Sequence, residues 1–275
     1  MNVCHQIETE VQGDGKLAYL PHPVFQNTLF LCTRTRNQDE YRKRSITVEL
    51  VNTFRDKITV RSARTLFACP DMGVFLATVA LIQKHGFHDL IDSVTGETVG
   101  RVRSIFPIGE LYDLTGMGRS SARERLLTSL ETLGSVSVSV KYAKTPDNME
   151  RHRYSDGFHM ASFWDMNIIP KRGRSGSLVE VFPSKYLLPN KRSLWADAEL
   201  CNSLKSDTAR AIFWSLICRQ HYKGSIEQWR NLLGSKYQAL RNWRRDHFLP
   251  ALNELSRHRY TILEDEGCYT VKRPK

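Results

Sequence analysis

IGELYDLTGMGRSSARERLLTSLETL, residues 108–133, contains two helical patterns separated by a glycine-rich turn. The first pattern ends at Gly116, and glycine commonly terminates helices because it tolerates positive φ. The second begins with Ser121 and Glu124, spaced as a capping box in which a hydroxyl and a carboxylate each satisfy a free backbone N–H. The stretch therefore predicts a helix, a tight turn and a second helix.

The second predicted helix is amphipathic. Its apolar side comprises Ala122, Leu126, Leu130 and Leu133 at helical spacing. Its polar, cationic side comprises Ser121, Arg125, Thr128 and Thr132. Such a helix is suited to lie in the major groove of DNA with its N-terminus near phosphates. The DNA contacts predicted for it are Arg119, Ser121, Arg123, Arg125 and Thr128.

A nucleotide-binding loop is the alternative interpretation of the same glycines. That loop has the form G-x-x-x-x-G-K-[ST], follows a buried strand, and uses its lysine to reach phosphates. Here the spacing is G-x-G, Arg119 stands where the lysine is needed, and a helix precedes the turn. The three differences argue against an ATPase or kinase loop.

The helix pair is repeated later in the chain. IEQWRNLLG at 226–234 aligns with IGELYDLTG at 108–116, and RDHFLPALNEL at 245–255 aligns with RERLLTSLETL at 123–133. Each pair runs into a β-rich stretch with a return strand: SVSVSVKYAK with FHMASFWDMNII, and YTILED with CYTVKR. Two helices followed by a hairpin form a winged helix, so the repeat predicts an α+β fold with two tandem winged-helix domains.

Positive charge is concentrated in residues 171–275, which contain the second copy of the repeated helix pair. The chain has a formal net charge of +11, yet residues 1–170 contain 20 Lys and Arg against 19 Asp and Glu. Residues 171–275 contain 20 against 10. Such an excess favours a polyanionic partner, because each neutralised phosphate releases a counterion. A merely basic, solvated surface is the less specific alternative.

The second unit also supplies the stronger set of candidate contacts. Its predicted DNA contacts are Lys236, Tyr237, Arg241, Arg244 and Arg245. The three arginines are spaced i, i+3, i+4, so a helix brings them together. The alternative is that they form surface ion pairs, for which Asp246 is the nearby carboxylate. Pro250 lies inside the same helix and should bend it, since proline removes a backbone donor.

Weaker patterns organise the rest of the chain. Alternating β-branched residues predict strands at 46–51 and 57–62, an apolar helix is closed by Gly86, and Ser206 should cap a later helix. PKRGRSGS, residues 170–177, has the composition of a linker. The predicted divisions are a flexible leader over 1–27, a first winged-helix domain over 28–170 for dimerisation and DNA-backbone contact, and a second over 171–275 for sequence reading.

Metal, disulfide and membrane chemistry are not expected. The six cysteines are scattered and form no C-x-x-C pair, and no apolar run approaches about 18 residues. A rolling-circle nicking initiator, the alternative from the enzyme class, needs a His-x-His metal pair near a nucleophilic tyrosine. The nearest approach is His85 and His88, whose spacing is wrong. We expect a cytoplasmic, DNA-associated, non-enzymatic protein that needs no cofactor.

The second unit resembles a known family. KSDTARAIFWSLICRQHYKGSIEQWRNLLGS followed by LRNWRRDHFLPALNEL is similar to the C-terminal winged helix of bacterial plasmid replication initiators, the iteron-binding Rep proteins, most nearly of the TrfA type. The residues that carry the likeness are Arg244, Arg245, Phe248, Leu249, Ala251, Leu252, Glu254 and Leu255. A fainter likeness covers about residues 28–273, and Ser256 replaces the asparagine usual in the family.

The resemblance implies a function as well as a fold. It implies two winged-helix domains that bind direct repeats (iterons) in the double-stranded DNA of a plasmid origin and open adjacent AT-rich DNA. It implies recruitment of host replication proteins, such as the host initiator and the replicative helicase, and a repressive homodimer beside an initiating monomer, hence autorepression and copy control.

Two alternatives stay open at the sequence level. A winged-helix transcriptional repressor without initiator activity would share every DNA-binding feature, although the duplicated unit favours the initiator.

QNTLF at 26–30 has the Q-x-x-L-F form of peptides that bind the bacterial sliding clamp, a further expected partner. The same residues also fit the start of a strand, LFLCTRT, which is the interpretation that we favour.

Overall fold

The fold was analysed in a computed structural model. It describes residues 15–20, 46–51, 57–62, 66, 68–91, 98–117, 120–144, 157–160, 162–170, 176–188, 194–217, 219–235 and 239–274. Within these ranges, helices pack on small antiparallel sheets.

The first unit is built around a buried helix. Strands β1 to β3 are Leu17–Leu20, Ile46–Val51 and Lys57–Ser62. A π-helical turn, Ala68–Met72, leads into α1, Gly73–His85, which ends at Gly86 with φ of 77°. Every residue from Gly73 to Gln83 is buried, because neighbouring elements cover α1 on all sides. The predicted strands at 46–51 and 57–62 and the helix closed by Gly86 are confirmed.

The first winged helix follows. Strands β4, His88–Ile91, and β5, Thr98–Pro107, pair antiparallel. Helix α2 is Ile108–Thr115 and ends at Gly116, whose φ of 67° is left-handed. Helix α3 is Ser120–Gly134. Strands β6, Ser137–Lys141, and β7, Gly157–Met160, pair as a hairpin and extend the β2–β3 sheet. The predicted return strand is confirmed only in its first part, because Trp164–Ile169 pairs with Leu178–Pro183 in another sheet.

The second winged helix repeats the pair of helices followed by a hairpin. Its elements are β10 (Leu194–Asp197), α4 (Ala198–Ser203), α5 (Asp207–Ile217), β11 (His221–Ser225), α6 (Ile226–Leu232), α7 (Leu240–Trp243), a π-helical turn (Arg244–Phe248), α8 (Leu249–Arg257), β12 (Thr261–Asp265) and β13 (Cys268–Lys272). The Ser206 hydroxyl accepts from the Ala209 N–H at 3.3 Å, which confirms the predicted cap of α5.

The wing of the second unit is a tight hairpin. β12 and β13 pair with Asp265 opposite Cys268, leaving a two-residue loop. Both loop residues, Glu266 and Gly267, have positive φ, 47° and 75°. Positive φ at both central positions is the type I′ turn, whose twist matches that of the strands. β11 joins the other side of β13 to complete a three-stranded sheet.

A sheet crosses the predicted boundary at residue 170. Strands β8, Trp164–Ile169, and β9, Leu178–Pro183, pair with each other, and β9 also pairs with β5. By strand pairing, residues 178–183 therefore belong with the first unit, before the 3₁₀ turn Lys185–Leu187 leads to β10. The division of the chain into domains at 170 stays a prediction.

The predicted flexible leader is wrong for residues 17–20. β1 pairs antiparallel with β10, and Ala18 and Leu20 are fully buried. The carbonyl of Lys16 accepts from the Ala198 N–H at 2.8 Å. Four residues are too few to show a strand period, so only the tertiary packing of LAYL reveals the strand.

The two units share one contiguous set of buried side chains. Phe75 of α1 joins them: its ring centroid lies 5.0 Å from that of Phe163 and 6.2 Å from that of Trp214 in α5. The second unit is thus anchored on the central helix of the first.

Candidate nucleic-acid interface

The candidate reading element of the second unit is the recognition helix, residues 240–257, formed by α7, the π-helical turn and α8. Its inner side is fully apolar. Trp243, Phe248, Leu252 and Leu255 are each at most 3% exposed. Its outer side carries the predicted arginines, so the helix is amphipathic in the manner required of an element that lies on DNA.

The π-helical turn lies just before Pro250. Proline has no N–H and its ring collides with the carbonyl four residues earlier, so a regular α-helix cannot continue unchanged through it. The inserted residue puts Trp243 and Phe248, five apart, on the same buried face, with ring centroids 5.2 Å apart. The expected disturbance at Pro250 therefore takes the form of a local π bulge.

An aromatic cluster ties the recognition helix to α6 and to the wing. The Phe248 ring centroid is 5.6 Å from that of Trp229 and 5.2 Å from that of Tyr269. The Trp229 indole N–H donates to the Tyr269 carbonyl at 3.0 Å. Helix α6 itself begins with a capping box made by Ser225 and Gln228. These contacts fix the outer face of the helix relative to the wing.

Arg244 is held by the wing. Its Nε donates to the Tyr269 hydroxyl at 2.7 Å, and its guanidinium lies 5.6 Å from the Tyr269 ring centroid. Its Nη2 donates to Glu264 Oε1 at 3.2 Å, and the Tyr269 hydroxyl donates to the same oxygen at 2.8 Å. The hydrogen bond with Tyr269 raises the pKa of Arg244, and the neighbouring Glu264 carboxylate adds to this effect.

Arg245 and Arg241 are exposed beside it. Arg245 forms a two-bond pair with Asp246, at 2.6 and 2.9 Å, and this hydrogen bonding lowers the pKa of the Asp246 carboxyl. Arg241 contacts no carboxylate among the residues that the structure describes. Asp246, the nearby carboxylate of the ion-pair alternative, thus pairs with Arg245, and Glu264 reaches Arg244 from the wing.

In the first unit the outer face of α3 carries the corresponding residues. Arg123, Arg125 and Thr128 are exposed. Arg123 Nε donates to the Tyr112 hydroxyl at 2.6 Å, and its guanidinium lies 5.2 Å from that ring centroid. The Thr128 hydroxyl donates to the Glu124 carbonyl at 2.9 Å.

Two details of the α3 prediction need correction. Thr132 was placed on the polar side, yet it is only 7% exposed and its hydroxyl donates to the Thr128 carbonyl. Helix α3 begins at Ser120, one residue before the predicted capping residue Ser121, whose side chain lies outside the described residues. The apolar positions Leu126, Leu130 and Leu133 are fully buried, as predicted.

The remaining candidates lie outside the described residues: Arg119, Lys236, Tyr237 and the segment QNTLF at 26–30. Their roles stay predictions.

The residues that hold the arginines have no signal in the local sequence. Tyr112, Tyr269 and Glu264 are 11, 25 and 20 residues from the arginines they contact, so no local spacing indicates them. Glu254 has a role that the sequence pattern does not indicate. Both Glu254 carboxylate oxygens accept backbone N–H groups, of Lys205 at 2.5 Å and Ser206 at 3.1 Å, at the start of α5.

Within the described ranges, no group of three His, Cys, Asp or Glu side chains is placed to hold a metal ion. No helix in the described part of the chain has the length and apolar character to span a membrane.

Comparison with known proteins identifies the fold. No family model matches the chain, and a search of curated proteins finds no similar sequence. A crystal structure of domains 2 and 3 of RctB matches with a TM-score of 0.53 and 13% identity over 90% of this chain and 97% of that one. The chain has the fold of RctB domains 2 and 3. The helices, small antiparallel sheets and hairpins of the described residues confirm the predicted α+β, tandem winged-helix architecture.

Further solved structures were also found. Another crystal structure of RctB domains 2 and 3 matches with a TM-score of 0.53 and 13% identity, over 89% of this chain and 95% of that one. The Pi initiator protein, solved in complex with iteron DNA, matches with a TM-score of 0.45 and 14% identity, over 76% of this chain and 90% of that one.

Proposed function

We propose that the protein is a plasmid replication initiator that binds direct repeats in duplex DNA at an origin. The observation that carries the proposal is the duplicated unit: two helix pairs, each with a wing, present exposed arginines on the outer face of the second helix of the pair. Two DNA-binding units in one chain suit a binding site that contains repeated sequence elements better than a single unit does.

The proposed division of labour follows the charge. The second unit, with 20 basic against 10 acidic residues in 171–275, supplies most of the sequence reading through Arg241, Arg244 and Arg245. Arginine is suited to this role because its fork binds guanine edges or phosphates with two hydrogen bonds. The nearly neutral first unit contacts the neighbouring backbone through Arg119, Arg123 and Arg125, and provides the dimer surface of a repressive form.

The finer functions are part of the same proposal. They are opening of AT-rich DNA beside the repeats, recruitment of the host initiator and replicative helicase, and autorepression by a homodimer. They are supported by the likeness of the second unit to iteron-binding Rep proteins, and the chemistry proposed here is binding rather than catalysis.

The decisive experiment compares two DNA arrangements. An initiator should bind a fragment with tandem direct repeats more tightly than one carrying the same half-sites as an inverted repeat. It should also make thymines in adjacent AT-rich DNA reactive to permanganate. A protein that prefers the inverted repeat and leaves the duplex closed would be a winged-helix repressor instead. Salt concentration must be held fixed, since phosphate contacts make affinity salt-dependent.

A further inference from the structure

One tryptophan stands apart from the others. The chain has five tryptophans, and Trp164, Trp214, Trp229 and Trp243 are at most 1% exposed. Trp195 of β10 is 44% exposed. A single exposed apolar side chain is common at protein surfaces, so the exposure of Trp195 gains meaning from the charged residues around it.

Trp195 forms one wall of an open groove of about 560 Å³. The Arg273 guanidinium lies 4.3 Å from the Trp195 ring centroid, a close cation–π stack. Arg257, at the C-terminal end of the recognition helix, and Arg259 and Tyr260, which follow it, also line the groove. It therefore combines a flat aromatic platform with three guanidinium groups.

The acidic residues of the groove are already engaged. The Asp197 carboxylate caps α4 by accepting from the Leu200 N–H at 2.7 Å. Glu199 forms an ion pair with Lys16 at 2.7 Å. Arg257 and Arg259 contact no carboxylate among the described residues. The groove thus has a positive excess that suits an anion.

The backbone of Arg259 supports a role for its side chain. Arg259 has φ of 66°, the left-handed conformation that follows many helix ends and that glycine adopts most easily. A long side chain at such a position is uncommon. Here it places an additional positive charge at the rim of the groove, where glycine would have been the less strained residue.

We infer that this groove binds an unpaired nucleotide, whose base stacks on Trp195 in place of the Arg273 guanidinium and whose phosphate lies between Arg257 and Arg259. Stacking on an aromatic ring combined with a cationic backbone path is the general mode of single-strand binding. Arg257 is 13 residues from Arg244, about 20 Å along a helix, so the groove is separate from the arginines proposed to read the duplex. The inference does not depend on that duplex interface.

The test uses the full chain and three probes. They are a single-stranded oligo(dT) of 15 nucleotides, free dTMP, and a duplex without direct repeats. Intrinsic tryptophan fluorescence is the readout, because Trp195 is the exposed indole of the five. Oligo(dT) should quench it, and the duplex should not. Quenching by dTMP as well would assign the groove to nucleotides in general, and quenching by oligo(dT) alone would assign it to an unpaired strand. If neither oligo(dT) nor dTMP quenches the fluorescence, the inference is overturned.

Two variants make the test specific. Trp195→Ala should weaken oligo(dT) binding about tenfold, measured by anisotropy of a labelled strand, whereas Trp195→Phe, which keeps a ring to stack on, should retain more of the affinity. Arg259→Gly removes the charge and relieves the positive φ, so it should weaken binding several-fold without loss of thermal stability. Arg101→Gln is the matched control, since Arg101 is an exposed arginine on β5 paired with Asp165.

The outcomes separate this inference from the proposed function. Unchanged oligo(dT) affinity in both Trp195→Ala and Arg259→Gly would overturn the inference. Equal loss of direct-repeat duplex binding in these variants would also overturn it, since the groove would then belong to the duplex interface. Trp195-dependent binding of oligo(dT) by a protein that does not recognise direct repeats would support the inference and refute the initiator proposal.

Discussion

The two winged helices each hold one arginine against a tyrosine, but the tyrosine comes from different places. In the first unit Tyr112 lies on the preceding helix, 11 residues before Arg123. In the second unit Tyr269 lies on the wing, and it shares Arg244 with the carboxylate of Glu264. The contact is alike in geometry, with Nε to hydroxyl distances of 2.6 and 2.7 Å.

This difference changes what each arginine depends on. Arg123 needs only the helix pair that carries it, whereas Arg244 needs the wing to be folded. Within the described residues a carboxylate contacts Arg244 and none contacts Arg123. The second unit therefore has the larger positive charge but a more constrained arginine, and its DNA contact should be more sensitive to mutations in the sheet.

The largest effect should come from the core beneath the wing. Trp229→Ala removes a fully buried indole and its hydrogen bond to the Tyr269 carbonyl, and should cost about 3–5 kcal/mol in free energy of unfolding. Leu111 occupies the equivalent place in the first unit, and Leu111→Ala should cost about 2–5 kcal/mol. Urea unfolding followed by circular dichroism gives both values.

DNA binding distinguishes these two variants. At a temperature where both stay folded, Trp229→Ala should lose more duplex affinity than Leu111→Ala, because Trp229 supports the wing that holds Arg244. Equal affinity losses would show that the wing does not position the arginine.

The next effect concerns the arginines directly. Arg244→Ala should cost about 1–3 kcal/mol of binding free energy for the recognised sequence if Arg244 contacts a base edge. Arg123→Ala in the first unit should weaken all sequences about equally and reduce the salt slope by about one, as expected of a phosphate contact. Titration of specific and scrambled duplexes at several salt concentrations measures both quantities.

The opposite pattern would reverse the proposed division of labour. Loss of discrimination in Arg123→Ala, together with a uniform loss in Arg244→Ala, would make the first unit the sequence reader.

Alkaline pH should destabilise the second unit first. Tyr260, at the end of the recognition helix, is only 6% exposed, and this burial raises the pKa of its hydroxyl well above the usual range. A raised pKa means that its contribution to stability is complete below about pH 10, the unfolded value, and is lost as the pH rises towards the folded value.

The slope of this loss is about 1.4 kcal/mol per pH unit above pH 10. Tyr260→Phe should flatten the dependence, as measured by urea midpoints at pH 9, 10 and 11. An unchanged slope in that variant would assign the effect to other groups.

Short-range sequence patterns predicted the elements well. The helix pairs, the second hairpin and the cap at Ser206 depend on residues within a few positions of each other, and such patterns record local geometry directly. The failures involve long-range contacts. β1 forms a strand only because β10, about 175 residues later, pairs with it. The return strand expected after β6 is divided because Trp164–Ile169 pairs with β9 instead.

The candidate site shows the same limit. Amphipathic spacing indicated that Arg241, Arg244 and Arg245 share the outer face of a helix. It could not indicate that Tyr269 and Glu264 approach Arg244, since that contact depends on how the wing folds back over the helix.

The smallest effect is expected from removing the Glu264 carboxylate, which contacts Arg244 and has no counterpart beside Arg123 among the described residues. Glu264→Gln would make the surroundings of Arg244 resemble those of Arg123, with a tyrosine and no negative charge. Because the Arg244–Glu264 pair is exposed, its removal should strengthen duplex binding only by about 0.2–1 kcal/mol. Glu266→Gln is the matched control: it makes the same charge change two residues further along the wing. A gain in Glu264→Gln alone means that Glu264 competes with DNA for Arg244, whereas equal gains in both variants reduce the effect to overall charge.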